Sequence, residues 1–225
     1  MTKKNNYISE QQLPSALRFK IRQEIVNSMI HAFGILFGIV CIPILTALAA
    51  KNANLPAIVG TSIYGFTFLM LFTVSSMYHG FQQPQVKRVL EILDHISIYF
   101  LIAGTYTPFI LIYQRNSFGY TLLIILCSLT LLGIVFKLFF TGKFEILSVI
   151  IYVAMGWILL IDGKRFFNAM PHDVITFIII GGALYSVGII FYLWKNLKWH
   201  HAIWHFFVLI AAICHYVAIL LSVSR

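Results

Sequence analysis

Eight polar side chains in this chain have the types and spacings to do chemistry: Glu24, Asn27, His31, Ser75, His79, Asp94, His201 and His205. His201 and His205 are four residues apart, as are Ser75 and His79, so each pair shares one helix face. Glu24, Asn27 and His31 fall at i, i+3 and i+7, a single stripe down a third helix. Neutral imidazole is a good ligand for zinc, and catalytic zinc takes three protein ligands plus a water. His79, His201 and His205 would supply the three. Asp94 would then hold or deprotonate the water, and Ser75 would donate a hydrogen bond to a ligand or to that water. Zinc lowers the pKa of a bound water to about 7, which makes a nucleophile available at neutral pH. The same donors also serve copper, iron and nickel.

The elements that position these groups are membrane helices. The 225-residue chain is 60% hydrophobic and 10% charged, with a mean hydropathy of +0.89, whereas a soluble domain is about 25% charged. That excludes a soluble globule. Ile-Ile-Ile and Leu-Leu runs replace the ten-residue alternation of a transmembrane β-barrel. Apolar stretches of about 20 residues, the length that crosses the hydrocarbon core as a helix, predict seven spans: 25–49, 56–79, 93–113, 118–139, 144–162, 173–194 and 202–222. Short connectors rich in Gly, Pro, Asn and Gln join them. The sequence therefore predicts an all-α, polytopic seven-helix bundle over residues 24–225, preceded by a polar N-terminal segment, 1–23, without the marks of a removable signal peptide.

Basic residues orient the bundle. Lys3, Lys4, Arg18, Lys20, Arg22, Lys87, Arg88, Lys137, Lys143, Lys195 and Lys198 gather on one side, and Lys51, Arg115, Lys164, Arg165 and Arg225 on the other. The positive-inside bias puts the N-terminus in the cytoplasm and the C-terminus outside. The net charge of +9 is thus spread over short loops, without the clustered basic and aromatic residues of a nucleic-acid surface. In this topology all eight polar groups, on four different spans, reach one level just below the cytoplasmic interface. Ionisable residues inside spans are costly and usually functional, which is why their convergence counts.

Other conspicuous residues have plainer readings. His95, His172 and His200 read as interfacial histidines, and Trp157, Trp194, Trp199 and Trp204 as interfacial anchors. Glu145, Asp162 and Asp173 suit helix ends and loops. Cys41, Cys127 and Cys214 form no C-x-x-C pair and read as separate thiols within apolar spans. His215, deep in the last span, either bonds a neighbouring helix or lines a cavity.

Taken in order, Glu24-x-x-Asn27-x-x-x-His31, Ser75-x-x-x-His79, Asp94 opening span 3 and His201-x-x-x-His205 opening span 7 resemble the hemolysin III family. That family is the bacterial branch of the progestin and adipoQ receptors, in a superfamily with the alkaline ceramidases. The resemblance covers the whole membrane core. It implies seven helices with a cytoplasmic N-terminus, residence in the bacterial plasma (inner) membrane, and zinc on His79, His201 and His205 with Ser75 and Asp94 nearby. It carries over no receptor signalling, because the long N-terminal region of the animal receptors has no counterpart here.

Three functions compete. The first is zinc-dependent hydrolysis of a membrane lipid amide or ester, as in the ceramidases. The second is a non-enzymatic sensor or regulator in which zinc is structural, its sphere closed by a fourth protein ligand. The third is the cytolytic pore or ion path that the family name suggests. It ranks last because the outer halves of the spans are almost wholly apolar.

Overall fold

In a computed structural model the structure describes residues 14–52 and 54–225; Lys3 and Lys4 lie outside the described residues. Every element among them is helical: α1 (Ser15–Lys51), α2 (Leu55–Gly80), α3 (Pro84–Tyr113), α4 (Ser117–Phe140), α5 (Glu145–Gly156), a 3-10 turn (Ile158–Asp162), α6 (Gly163–Phe167), α7 (His172–Leu193) and α8 (His200–Val223). Six of them, α1 to α4, α7 and α8, are each long and apolar enough to cross a membrane. Leu36, Phe66, Leu131, Phe139 and Ile161 lie exposed on the bundle's surface, where a soluble protein would not tolerate so much apolar area. The chain is an integral, multi-pass membrane protein.

Contacts between helix ends sort the chain into two levels. One level joins Glu24 to Lys87 and His79, and Lys195 to Glu145. The opposite level joins Asn52 to the Val223 carbonyl, Arg225 to Asp173, and Gln114 to the Arg165 carbonyl. The stretch from Glu145 to Arg165 therefore runs from one level to the other, although α5 itself has only 12 residues. Twelve α-helical residues plus a five-residue 3-10 turn rise about 28 Å, close to a hydrocarbon core of about 30 Å.

Two spans differ from the lengths expected above. α1 starts at Ser15, so the end of the polar N-terminal segment is helical and continuous with the first span. α3 starts at Pro84 rather than near 93. Proline suits a first turn, where its missing N–H costs nothing, and the extra turns carry Lys87, Arg88 and Glu91, which hydropathy counts against a span. Pro43 and Pro108 lie inside α1 and α3.

The core is built where α1, α2, α3 and α8 meet. Tyr64, Phe68, Phe72 and Ile219 are fully enclosed there, and Tyr99 is enclosed between α3, α4 and α5. Small residues bring the helices close: a Cβ on Gly65 would lie 2.3 Å from Ile42, and one on Gly104 would lie 2.1 Å from Thr67. α7 pairs along α8, while α5 touches its neighbours only sparsely.

Candidate metal centre and its cavity

The first level holds the polar cluster. The α1 stripe turns inward, burying Asn27 and His31 against Ser75 and His79 of α2. Glu24 is the junction. Its Oε2 accepts from His79 Nδ1 at 2.6 Å, and its Oε1 accepts from Lys87 Nζ at 3.0 Å. A carboxylate offers only acceptors, so His79 carries its proton on Nδ1 and presents the Nε2 lone pair inward. Lys87 also donates to the Tyr78 carbonyl at 3.1 Å. Lys87 precedes the apolar run that marks the third span, so hydropathy hides its role; the extended α3, opened by Pro84, brings it to Glu24.

His79 Nε2 stands 3.0 Å from His205 Nε2. Two nitrogens bound at 2.0–2.1 Å to one tetrahedral ion would stand about 3.3 Å apart, so the pair is spaced like two ligands. The His79 arrangement, with Nδ1 held by a carboxylate, is the usual support for a metal-binding imidazole. His31 is the third close histidine: single ring nitrogens of His31, His79 and His205 all fall within 4.8 Å of one another, and all three residues are buried. Ser75 Oγ bonds His31 Nε2 at 3.0 Å, leaving His31 Nδ1 buried without a partner among the described residues. His201 stands beside this trio, its ring centroid 5.3 Å from that of His79 and 4.4 Å from that of His205. Three imidazoles thus converge, with His201 beside them, and the donor set fits a divalent ion with borderline-soft character. Asn27 packs its amide 3.5 Å from His79 Nδ1, its Oδ1 buried and unpartnered.

All eight residues singled out in the sequence share this level. Asp94 is an electrostatic neighbour of both Ser75 and His79. His31 belongs to the closest trio, and spacing along one helix carries no information on such lateral distances.

The cluster opens into a cavity of about 280 Å³ between α3, α5, α7 and α8. His31, Ser75, Asp94, His201 and His205 form its polar corner, and Leu101, Phe109, Leu159, Phe166 and Ile178 line its far part. Glu91, Lys137, Glu145 and Lys195 also line it. Lys137, read above as a cytoplasmic flank, is only 1% exposed. Two tryptophans also depart from the expectation. Trp157 is no interfacial anchor: its Nε1 donates to Ser186 Oγ at 2.9 Å, and it lines the cavity with Trp204, which rests against Gly188. Both lie beside glycines of α7 that leave room for an indole, a cue that flanking position alone does not carry. His95 uses Nδ1 locally, donating to the Glu91 carbonyl at 2.7 Å. A second recess of about 260 Å³ reaches Glu24 and His79 from the other side of α1.

Comparison with known proteins agrees with this architecture. The family profile described as Haemolysin-III related matches residues 19–216. The chain is similar to the Hemolysin-3 homolog of Bacillus subtilis, with 44% identity over 191 residues, 85% of this chain and 90% of that protein. It is 40% identical to Hemolysin-3 of Bacillus cereus over 189 residues, 84% of this chain and 86% of that protein. A more distant relative is the human monocyte to macrophage differentiation factor, 26% identical over 163 residues, 70% of this chain and 67% of that protein. The bacterial relatives point to a plasma membrane as its location. With the family profile spanning nearly all of the helical bundle, the chain belongs to the hemolysin III-related family of membrane proteins.

Proposed function

We propose that this protein is a metal-dependent hydrolase of a membrane lipid amide or ester, working at the cytoplasmic level of the bundle. The observation that carries the reading is the continuity of the histidine cluster with a largely apolar cavity in one bundle. A polar reactive corner joined to an apolar tunnel suits a molecule with one carbonyl and a long chain. The bias of basic residues supports a cytoplasmic side for that corner, and the passage of residues 145–165 between the two levels supports a seventh crossing.

His79 and His205 would hold the ion with His201, or with His31, as the third ligand; zinc is the metal that suits this set best. When bound, zinc would supply a Lewis acid and lower the pKa of a water. Glu24 fixes the His79 tautomer, so Nε2 always faces inward. Lys87 keeps the Glu24 carboxylate oriented. Ser75 fixes the His31 ring. Asp94, beside Ser75 in the polar corner, is the group placed to take a proton there and return it to the departing nitrogen or oxygen. The apolar walls bind the chain and exclude bulk water from the corner.

The test is the metal content of detergent-purified protein beside His79→Ala and His205→Ala, followed by an acyl-amide hydrolysis assay on wild type and Asp94→Asn. The expected result is about one zinc per chain, lost in both histidine variants, with hydrolysis lost and zinc kept in Asp94→Asn. A folded wild type without metal would overturn the reading. A second reading has one observation in its favour: His31 stands close enough to act as a fourth imidazole. A closed four-ligand sphere would make the ion structural and the protein a sensor or regulator. In that case His31→Ala would lower metal affinity as far as His201→Ala does, and no lipid would be hydrolysed.

A further inference from the structure

Three helices turn a stripe toward the cavity, and each stripe leads to a charge at the level of the histidines. On α3 the stripe is Glu91, Asp94, Ile98 and Thr105. On α5 it is Glu145, Ser148 and Tyr152, and on α7 it is Tyr185, Ile189 and Tyr192. Spacings of three, four and seven residues put each set on one helix face, so Glu91 and Glu145 point where their deeper neighbours point. Lys195 follows α7 and lines the cavity as well. Its ammonium is 4.3 Å from the Tyr192 ring centroid and 3.4 Å from a Glu145 carboxylate oxygen.

Glu91 is partly exposed, and among the described residues its carboxylate has neither an ion-pair nor a hydrogen-bond partner. Lys137, enclosed on α4, is an electrostatic neighbour of both Glu91 and Glu145 and pairs with neither. A carboxylate turned into a cavity of a membrane bundle is unfavourable unless a cation meets it. Lys195 is held by a pair whose two members are about half exposed, the kind that contributes little and opens readily. These four groups thus offer one open carboxylate and one releasable ammonium, while Lys137 balances Glu145. A neutral ligand head would satisfy neither, and a head of one sign would satisfy only one.

We propose that this end of the cavity recognises a small zwitterionic head, with Glu91 taking its ammonium and Lys195 its anion, so that the preferred ligand is a fatty-acyl lipid with a doubly charged head. This rests on the acyl-cavity reading above, in which the reacting carbonyl lies beside Asp94 and the chain runs deeper. Glu91 is three residues before Asp94, a rise of about 4.5 Å toward the bundle end. A chain of roughly 1.5 Å bonds advances about 1.25 Å per bond, so that rise corresponds to about four bonds from the carbonyl. An amino-acid head has its ammonium and carboxylate at about that remove. A phosphoethanolamine head carries the same two charges but sets its ammonium several bonds farther out.

The experiment is displacement of a fluorescent fatty alcohol from the detergent-purified full chain by ether-linked hexadecyl probes, which no hydrolase of amides or esters cleaves. O-hexadecylserine carries both charges, hexadecyloxyethylamine only the ammonium, hexadecyloxyacetic acid only the carboxylate, and hexadecyloxyethanol neither. The expected result is binding of O-hexadecylserine roughly tenfold tighter than the alcohol and roughly threefold tighter than either singly charged probe, the size of two modest charged contacts. Glu91→Gln should bring O-hexadecylserine level with the acid, and Lys195→Gln should bring it level with the amine. The alcohol should bind wild type and both variants alike, which shows that each is folded. Hexadecylphosphoethanolamine is the last arm: weaker binding than O-hexadecylserine assigns the amino-acid head, and tighter binding assigns phosphate as the anion. Equal affinity of O-hexadecylserine and the alcohol in wild type, or a preference unchanged in either variant, would overturn the headgroup assignment alone. If even the alcohol fails to displace the fluorescent chain, the acyl-cavity reading falls and this proposal falls with it.

Discussion

The two halves of the bundle are built differently. Around α1, α2 and α3, glycines let side chains and even backbone come within contact: a Cβ on Gly60 would lie 2.6 Å from the Pro108 Cα. Around α5 and the 3-10 turn the chain is short, broken and sparsely packed, and a Cβ on Gly156 would meet nothing within 4 Å. The polar cluster is anchored on the first half, and the second supplies much of the cavity wall. A fixed cluster beside an adaptable wall is what the proposed function requires, the first to hold an ion in one geometry and the second to admit chains of different shape.

Substitutions in the two halves should then differ in kind. The largest effect belongs to the fixed half: Glu24→Gln removes the carboxylate from His79 Nδ1 and should weaken metal binding by roughly 10- to 100-fold, measured by chelator competition. Unchanged affinity would mean that His79 needs no support and that the rigidity of this half is irrelevant to the ion. Next comes Gly60→Ala, which sets a methyl against α3 backbone and should lower stability by about 2 kcal/mol in detergent unfolding, after the gain in helix propensity is allowed for. In the slack half the matched change has the opposite sign. Gly156→Ala should stabilise by about 0.5–1 kcal/mol, because nothing obstructs the methyl and alanine restricts the unfolded chain. A loss there of similar size to that at Gly60 would erase the contrast. The smallest effect is expected for Lys195→Ala, whose partner Glu145 is, like Lys195 itself, about half exposed. Such a pair contributes about 0.5 kcal/mol or less, and the same melting experiment would show it.

Much of this architecture is written in the sequence. Spans 56–79, 118–139, 173–194 and 202–222 lie within one or two residues of α2, α4, α7 and α8, because each apolar run is bounded by proline, glycine or charge. The depth of the cluster follows in part from the same count, since His79 and His201 sit at fixed distances from those ends. Lateral position does not follow. Periodicity shows that His31 and His201 each face inward, yet gives no hint that His31 is in the tightest trio. The break at Gly156–Trp157 left only a glycine as a trace, and a tryptophan near a span end reads as interfacial until Ser186 is known to accept its N–H. The early start of α3 was hidden because Lys87, Arg88 and Glu91 look like loop residues to any measure of apolarity.

The shortness of α5 matters to the membrane itself if, as proposed, it makes the seventh crossing. At about 28 Å, α5 with its 3-10 turn matches a hydrocarbon core of about 30 Å with nothing to spare, whereas α1, with 37 residues, is about 55 Å long and can tilt. In a thicker bilayer the long helices adjust by standing straighter, and the mismatch falls on the segment with the least length to spare. The lipid around this protein would press first on the wall of its cavity, so that bilayer thickness acts as an input to whatever the cavity holds.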